Sequence, residues 1–197
     1  MQGPQWPTAE EAATGAYDAT TVHDTIFEEL RSSSDVALEV QLVWKAFMGA
    51  AENRKAAGET IYQALYGIRS GLDVRFMHHQ PIRFMDGLSL IIDSLSDPKG
   101  LKDVVEEFAY SHVDLACGRL EVIKLRDDMV GLLVAKMGPR LSQKARVGFA
   151  TMLNYVGGSC IFIHREFELR RELKRVLWRI ATSDMTDVKL DGDFELD

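Results

Sequence analysis

The chain has 197 residues, 46% of them apolar, enough for one domain with a substantial core plus extensions. Its net charge of -7 and pI near 5.3 argue against a nucleic-acid partner, because such binding needs Lys and Arg to neutralise phosphate. Only two cysteines occur, Cys117 and Cys160, which argues against a disulfide framework; there is also no unbroken apolar run of about eighteen residues and no basic-then-apolar leader, so no membrane span and a cytoplasmic location are expected.

Residues 1–19 are rich in Ala, Gly, Pro and Thr without periodicity and read as a flexible tail. Residues 20–34 read as a capped helix and a link: Thr20 or Thr21 supplies the cap, and Val22, Ile26, Phe27 and Leu30 share one face. After Asp35, the stripe Val36, Val40, Val43, Trp44, Phe47 predicts an inward-facing helix. A second helix follows, with Ile61, Tyr62, Leu65 and Ile68 on its buried side and Gly58 placed for close helix approach. Gln80, Phe84, Leu88, Ile91 and Leu95 recur every three or four residues and predict another helix, stopped by Ser96-Asp97-Pro98-Lys99-Gly100.

The next helix, from Leu101 towards Gly118, places Leu101, Val104, Val105, Phe108, His112 and Leu115 on one side. A histidine on an apolar face has two readings. It is either a core residue whose ring nitrogens bond a carbonyl or a water, or a ligand to a metal or flat cofactor. Beyond it, Glu121–Met137 reads as a helix ended by Gly138-Pro139, with Val122, Leu125, Met129, Leu132 and Leu133 inward. Leu141-Ser142 opens the last helix, interrupted by Gly157-Gly158, a pair that costs roughly 2 kcal/mol of helix propensity and marks a bend or a close contact.

The stretch from Gln80 to Tyr155 resembles the globin family without a gap. Phe108 and His112, in FAYSH, look like the proximal apolar residue and the haem-ligating histidine. Gln80, 32 residues upstream, matches the distal position as spaced in neuroglobins and bacterial haemoglobins, and MGPRLSQKARVGF is similar to the turn and helix that close many globins. The resemblance implies an all-α globin fold of about eight helices that binds haem b through its iron at His112. It further implies that Gln80 and Tyr62 contact a diatomic gas, oxygen or nitric oxide, and that Arg83 pairs with a propionate. Phe76, Phe84, Phe108, Val122 and Leu125 would pack on the ring, with Cys117 at its edge. Two departures stand out: only Met77, His78 and His79 separate Phe76 from Gln80, where globins have a longer corner, and Ala116-Cys117 replace a common glycine-valine pair. With the shortened corner, His78 or His79 becomes an alternative iron ligand.

The resemblance places the globin domain at 35–164, a helical extension at 165–182 and an acidic tail, expected disordered, at 183–197. The extension sets Leu169, Leu173, Val176, Leu177 and Ile180 against Arg170, Arg171, Lys174, Arg175 and Arg179. It is expected first to fold back on its own domain, next to pair in a homodimer, and last to act as a membrane-surface or calmodulin-like segment. The expected activity is gas sensing or binding rather than catalysis. Nitric oxide dioxygenation remains open only with an external reductase, since no flavin or nicotinamide motif is present. The alternative function is a haem-free globin-fold signalling or interaction module with its own signalling partner.

Overall fold

A computed structural model describes residues 17–66, 81–112 and 117–187. These are all-helical, with six α-helices: α1 Ser34–Ala50, α2 Arg54–Tyr66, α3 Pro81–Asp93, α4 Pro98–Ser111, α5 Arg119–Met137 and α6 Gln143–Asp187. Short 3-10 turns follow α3 at Ser94–Ser96 and α5 at Gly138–Arg140.

The 3.6-residue stripes become the core. In α1, Ala37, Val40, Val43, Trp44 and Phe47 are buried, and Trp44 donates its indole N–H to Ser89 Oγ on α3 at 3.1 Å. Gln41 donates its side-chain amide to the carbonyls of Ile92 and Asp93, satisfying the open C-terminal end of α3. Pro98 occupies the first turn of α4, where a missing N–H costs nothing, and Gly138 leaves α5 with a φ of +53° that favours glycine. Helix starts are capped by side chains: Asn53 Oδ1 accepts from Ala56 N, Ser142 Oγ from Ala145 N, and Glu121 reaches back to the N–H of Gly118. The helices pack together pairwise, α1, α4 and α5 on α6, and α2 on α3 and α5.

The expected helix over 20–31 is not formed. Residues 17–33 run as an irregular strap across α5 and α6, and the carbonyls of Asp18, Ala19 and Thr20 bond side chains of those helices instead of a helical ladder. Asp18 Oδ1 accepts from the N–H groups of Thr20 and Thr21, tightening a turn where the cap was expected. Arg126 on α5 donates to the carbonyls of Ala19 and Thr20 at 3.2 and 3.3 Å, and Asn154 on α6 donates to the carbonyl of Asp18. Tyr17 Oη both accepts from Glu28 N and lies 3.4 Å from its carbonyl, so the strap is also closed on itself. Tyr17 and Ala19, placed in the tail by the sequence, are both buried in the fold.

The two glycines of α6 explain how the strap lies so close. A Cβ on Gly158 would overlap the carbonyl oxygen of His23 and sit 2.9 Å from its carbonyl carbon. A Cβ on Gly157 would press into Val122 of α5. The pair is thus a close-contact site on two sides, and α6 passes through it without interruption. Tyr155 beneath the strap meets Tyr17 edge-on at 4.8 Å, and Phe27 bridges Tyr155 to Phe162.

Two further expectations are corrected. Residues 165–182 do not fold back on the body: every residue from Phe167 to Thr182 is exposed. The same helix continues to Asp187, so the first residues of the acidic tail belong to it. By length and composition Gln143–Thr182 is apolar enough to cross a bilayer, but 61% of its apolar window is buried in the fold, which is how a core helix behaves.

The strap also sets an acid sensitivity. Burial alone would raise the Asp18 carboxyl, but hydrogen bonds from Thr20, Thr21 and His23 outweigh it and hold the group below its ordinary value. Asp24 is likewise held low, by the Arg119 guanidinium that donates to both its oxygens at 2.6 and 2.5 Å. A carboxyl depressed by folding stabilises fully above the unfolded value, about 4, and loses that contribution as the pH falls through the folded value. Urea midpoints followed by circular dichroism should therefore decline below about pH 4. Asp18→Asn should lower stability at neutral pH and flatten the acid decline.

Candidate functional site

His112 lies at the end of α4, half-buried, as the helix C-cap. The helix stops there rather than continuing towards Gly118, and the backbone N–H of His112 closes a short turn on Ala109 O. One turn upstream, Phe108 stacks on the imidazole with ring centres 4.2 Å apart and planes inclined by 30°. Nδ1 of His112 lies 2.8 Å from the carbonyl of Phe108 and 2.8 Å from Ser111 Oγ. The hydroxyl of Ser111 in turn donates to the same carbonyl at 2.7 Å. A carbonyl can only accept, so this network places the proton on Nδ1 and leaves the lone pair on Nε2. Nε2 makes no hydrogen bond among the described residues.

This arrangement is what a metal-bound histidine requires: one nitrogen donates to a carbonyl, fixing tautomer and ring plane, and the other is left as donor to a metal. The end of α4 is further held by α6, where His164 Nε2 lies 3.1 Å from Ala109 O. Opposite α4, Gly87 of α3 faces Phe108 so closely that a Cβ there would stand 3.2 Å from its ring. Phe84, one turn before Gly87 on α3, is half-buried and packs on the core.

The remaining predicted residues divide. Val122 is fully buried against Gly157, while Leu125 is half-buried and packs on the core. Cys117 is half-buried, its thiol pushed up to about 11 by burial and by Glu121; Cys160 is pushed up to about 12 by burial and by the nearby Cys117. Both thiols are free and held protonated, so neither is an activated nucleophile. Phe76, His78, His79 and Gln80 lie outside the described residues, as do the side chains of Tyr62 and Arg83. Among the described residues no group of three or more His, Cys, Asp or Glu could hold a metal ion.

The sequence reading missed Arg126 and Asn154. Arg126 is only 4% exposed and joins the strap to Asn154 Oδ1 at 3.2 Å, with Asp127 on its other side. Its position was visible: it falls one turn after Val122 on the inward stripe of α5, and a charge there calls for buried acceptors. An open groove of about 520 Å³ between α1 and α3, lined by Leu38, Gln41, Leu42 and Ser89 among others, includes none of the predicted site residues. No protein family, no curated protein and no solved structure matches the chain.

Proposed function

We propose that this chain is a haem-binding globin of about eight helices that reversibly binds a diatomic gas, oxygen or nitric oxide, in the cytoplasm. The observation that carries the reading is His112 with Nδ1 committed to the Phe108 carbonyl and Nε2 left as a lone-pair donor. Support also comes from Phe108 stacked on the imidazole and from Phe84 on the neighbouring helix. Haem b, when bound, supplies the iron at which a gas is held. The chain's own residues fix the axial base and the access route: His112 ligates, Phe108 and Ser111 hold its ring, and Gln80 and Tyr62 donate hydrogen bonds to the gas. Arg83 pairs with a propionate, and Phe76, Phe84 and Leu125 wall the ring. Sensing is favoured over storage because α6 extends well beyond the body and can carry a signal to a partner. Nitric oxide dioxygenation would need electrons from an external reductase.

A second reading is a haem-free signalling module. It rests on Val122, which the resemblance sets beside the ring and which is packed against Gly157, and on the three residues between Phe76 and Gln80. Titrating haemin into wild-type protein and His112→Ala separates the two. Saturation at one haem per chain with a sharp Soret band, lost or shifted in the variant, supports the globin reading. Identical unsaturable absorbance in both proteins supports the haem-free module.

A further inference from the structure

Among the described residues the apolar face of the α6 extension is largely open to solvent, and it is patterned. Leu169, Leu173, Val176 and Ile180 are spaced by four, three and four residues, the seam of a two-helix coiled coil. They are 58%, 59%, 42% and 55% exposed. The stripe continues along the same side of the helix from Tyr155, which is buried, and Phe162, which is half-buried against Phe27 of the strap, so the seam prolongs a face already used for packing. Most helical stability in proteins comes from packing an apolar face, and here that face is left in water.

We infer that a second copy of this chain covers the face, with the two extensions pairing antiparallel so that Leu173 lies opposite Val176 and Leu169 opposite Ile180 of the second copy. The flanking charges decide the direction. In the antiparallel register Glu172 meets Arg179 of the second copy, and the twofold axis repeats that pair, giving two opposite-charge contacts. On the other flank Arg170 lies over Leu177, where its aliphatic stem covers apolar surface. A parallel pairing instead sets Arg165 against Arg170 and leaves Glu172 facing Leu177, so its opposite-charge pair, Arg179 with Asp184, is offset by a like-charge one. Within one copy Glu172 already bonds Arg175 at 3.3 Å and Glu168 bonds Arg171 at 2.6 Å; these pairs are exposed and exchange readily for contacts across the seam. Trp178, 73% exposed, stands outside the seam. Four layers make an interface in the small class, below roughly 1,200 Å², so the dimer is reversible and depends on concentration. The register does not depend on haem binding at His112.

Sedimentation velocity of the full chain over a wide concentration range is the test. Wild type should pass from monomer to dimer, and Leu173→Arg, an exposed position whose change leaves the body folded by circular dichroism, should stay monomeric. Glu172→Arg and Arg179→Glu should each weaken association by about tenfold, since each replaces two attractive contacts by two repulsive ones, and the double variant should recover wild-type association. A monomer at every concentration, a dimer indifferent to Leu173→Arg, or a double variant without recovery would each overturn the proposal. So would a monomer that binds phosphatidylglycerol vesicles through this face, which would make the occupant a membrane surface.

Discussion

Replacing Arg126 by methionine is expected to destabilise the fold by about 3 kcal/mol, read as a lower urea midpoint with an unchanged slope. The guanidinium donates to the carbonyls of Ala19 and Thr20 and to Asn154 Oδ1, all from a side chain that is almost wholly buried. Methionine fills comparable volume, so the loss comes from acceptors left without donors, each costing about 1 to 3 kcal/mol where water cannot replace them. Some of that is recovered if the strap lifts and its carbonyls reach water. Lifting, however, exposes Tyr17, Ala19 and Val22, and the apolar burial they contribute is then lost.

Gly158→Ala probes the same contact from the other side and should cost about 2 kcal/mol net. Alanine is the better helix former by about 1 kcal/mol, which alone would stabilise α6. Against this stands the backbone of His23, whose carbonyl oxygen the new methyl would overlap; a backbone cannot rotate away as a side-chain tip can. The strap must shift as a unit and strain the bonds to Arg126 and Asn154. Gly131→Ala is the control, because nothing lies within 4 Å of the added methyl in mid-helix α5, and it should stabilise by about 1 kcal/mol. Since Arg126 and Gly158 act through one strap, Arg126→Met with Gly158→Ala should cost less than the sum of the two changes.

The strap also marks where sequence reasoning fails and why. Val22, Ile26, Phe27 and Leu30 have helical spacing and a threonine cap precedes them, so every local signal favours a helix. The competing donors Arg126 and Asn154 are more than a hundred residues away in sequence, and no window of local pattern contains them. By contrast, α1 is legible because its stripe faces a core that buries Val40, Val43, Trp44 and Phe47, and the end of α3, the start of α4 and the end of α5 are legible because proline and glycine act through their own backbones. The α6 extension is an intermediate case. Periodicity located its apolar face, but a stripe carries no record of what covers it, and folding back gave way to an exposed helix.

At the candidate site, the register from Phe108 to His112 could be read from spacing, because residues four apart on a helix share a face. The Nδ1 contact to the Phe108 carbonyl could not be, since it depends on α4 ending at His112 and on the Ser111 hydroxyl beside it. Gln80, Phe76, His78 and His79 lie outside the described residues, and the spacing that singled them out remains the argument for them.

The most direct test of the haem reading is the absorption spectrum of the reduced protein reconstituted with haem, compared among wild type, His112→Gly and His112→Gly supplied with free imidazole. The account predicts that the variant loses or shifts the Soret band and that imidazole, filling the vacated position with the same donor atom, restores the wild-type spectrum. A wild-type protein that folds fully and shows no specific Soret band, or a spectrum indifferent to His112→Gly, would contradict it.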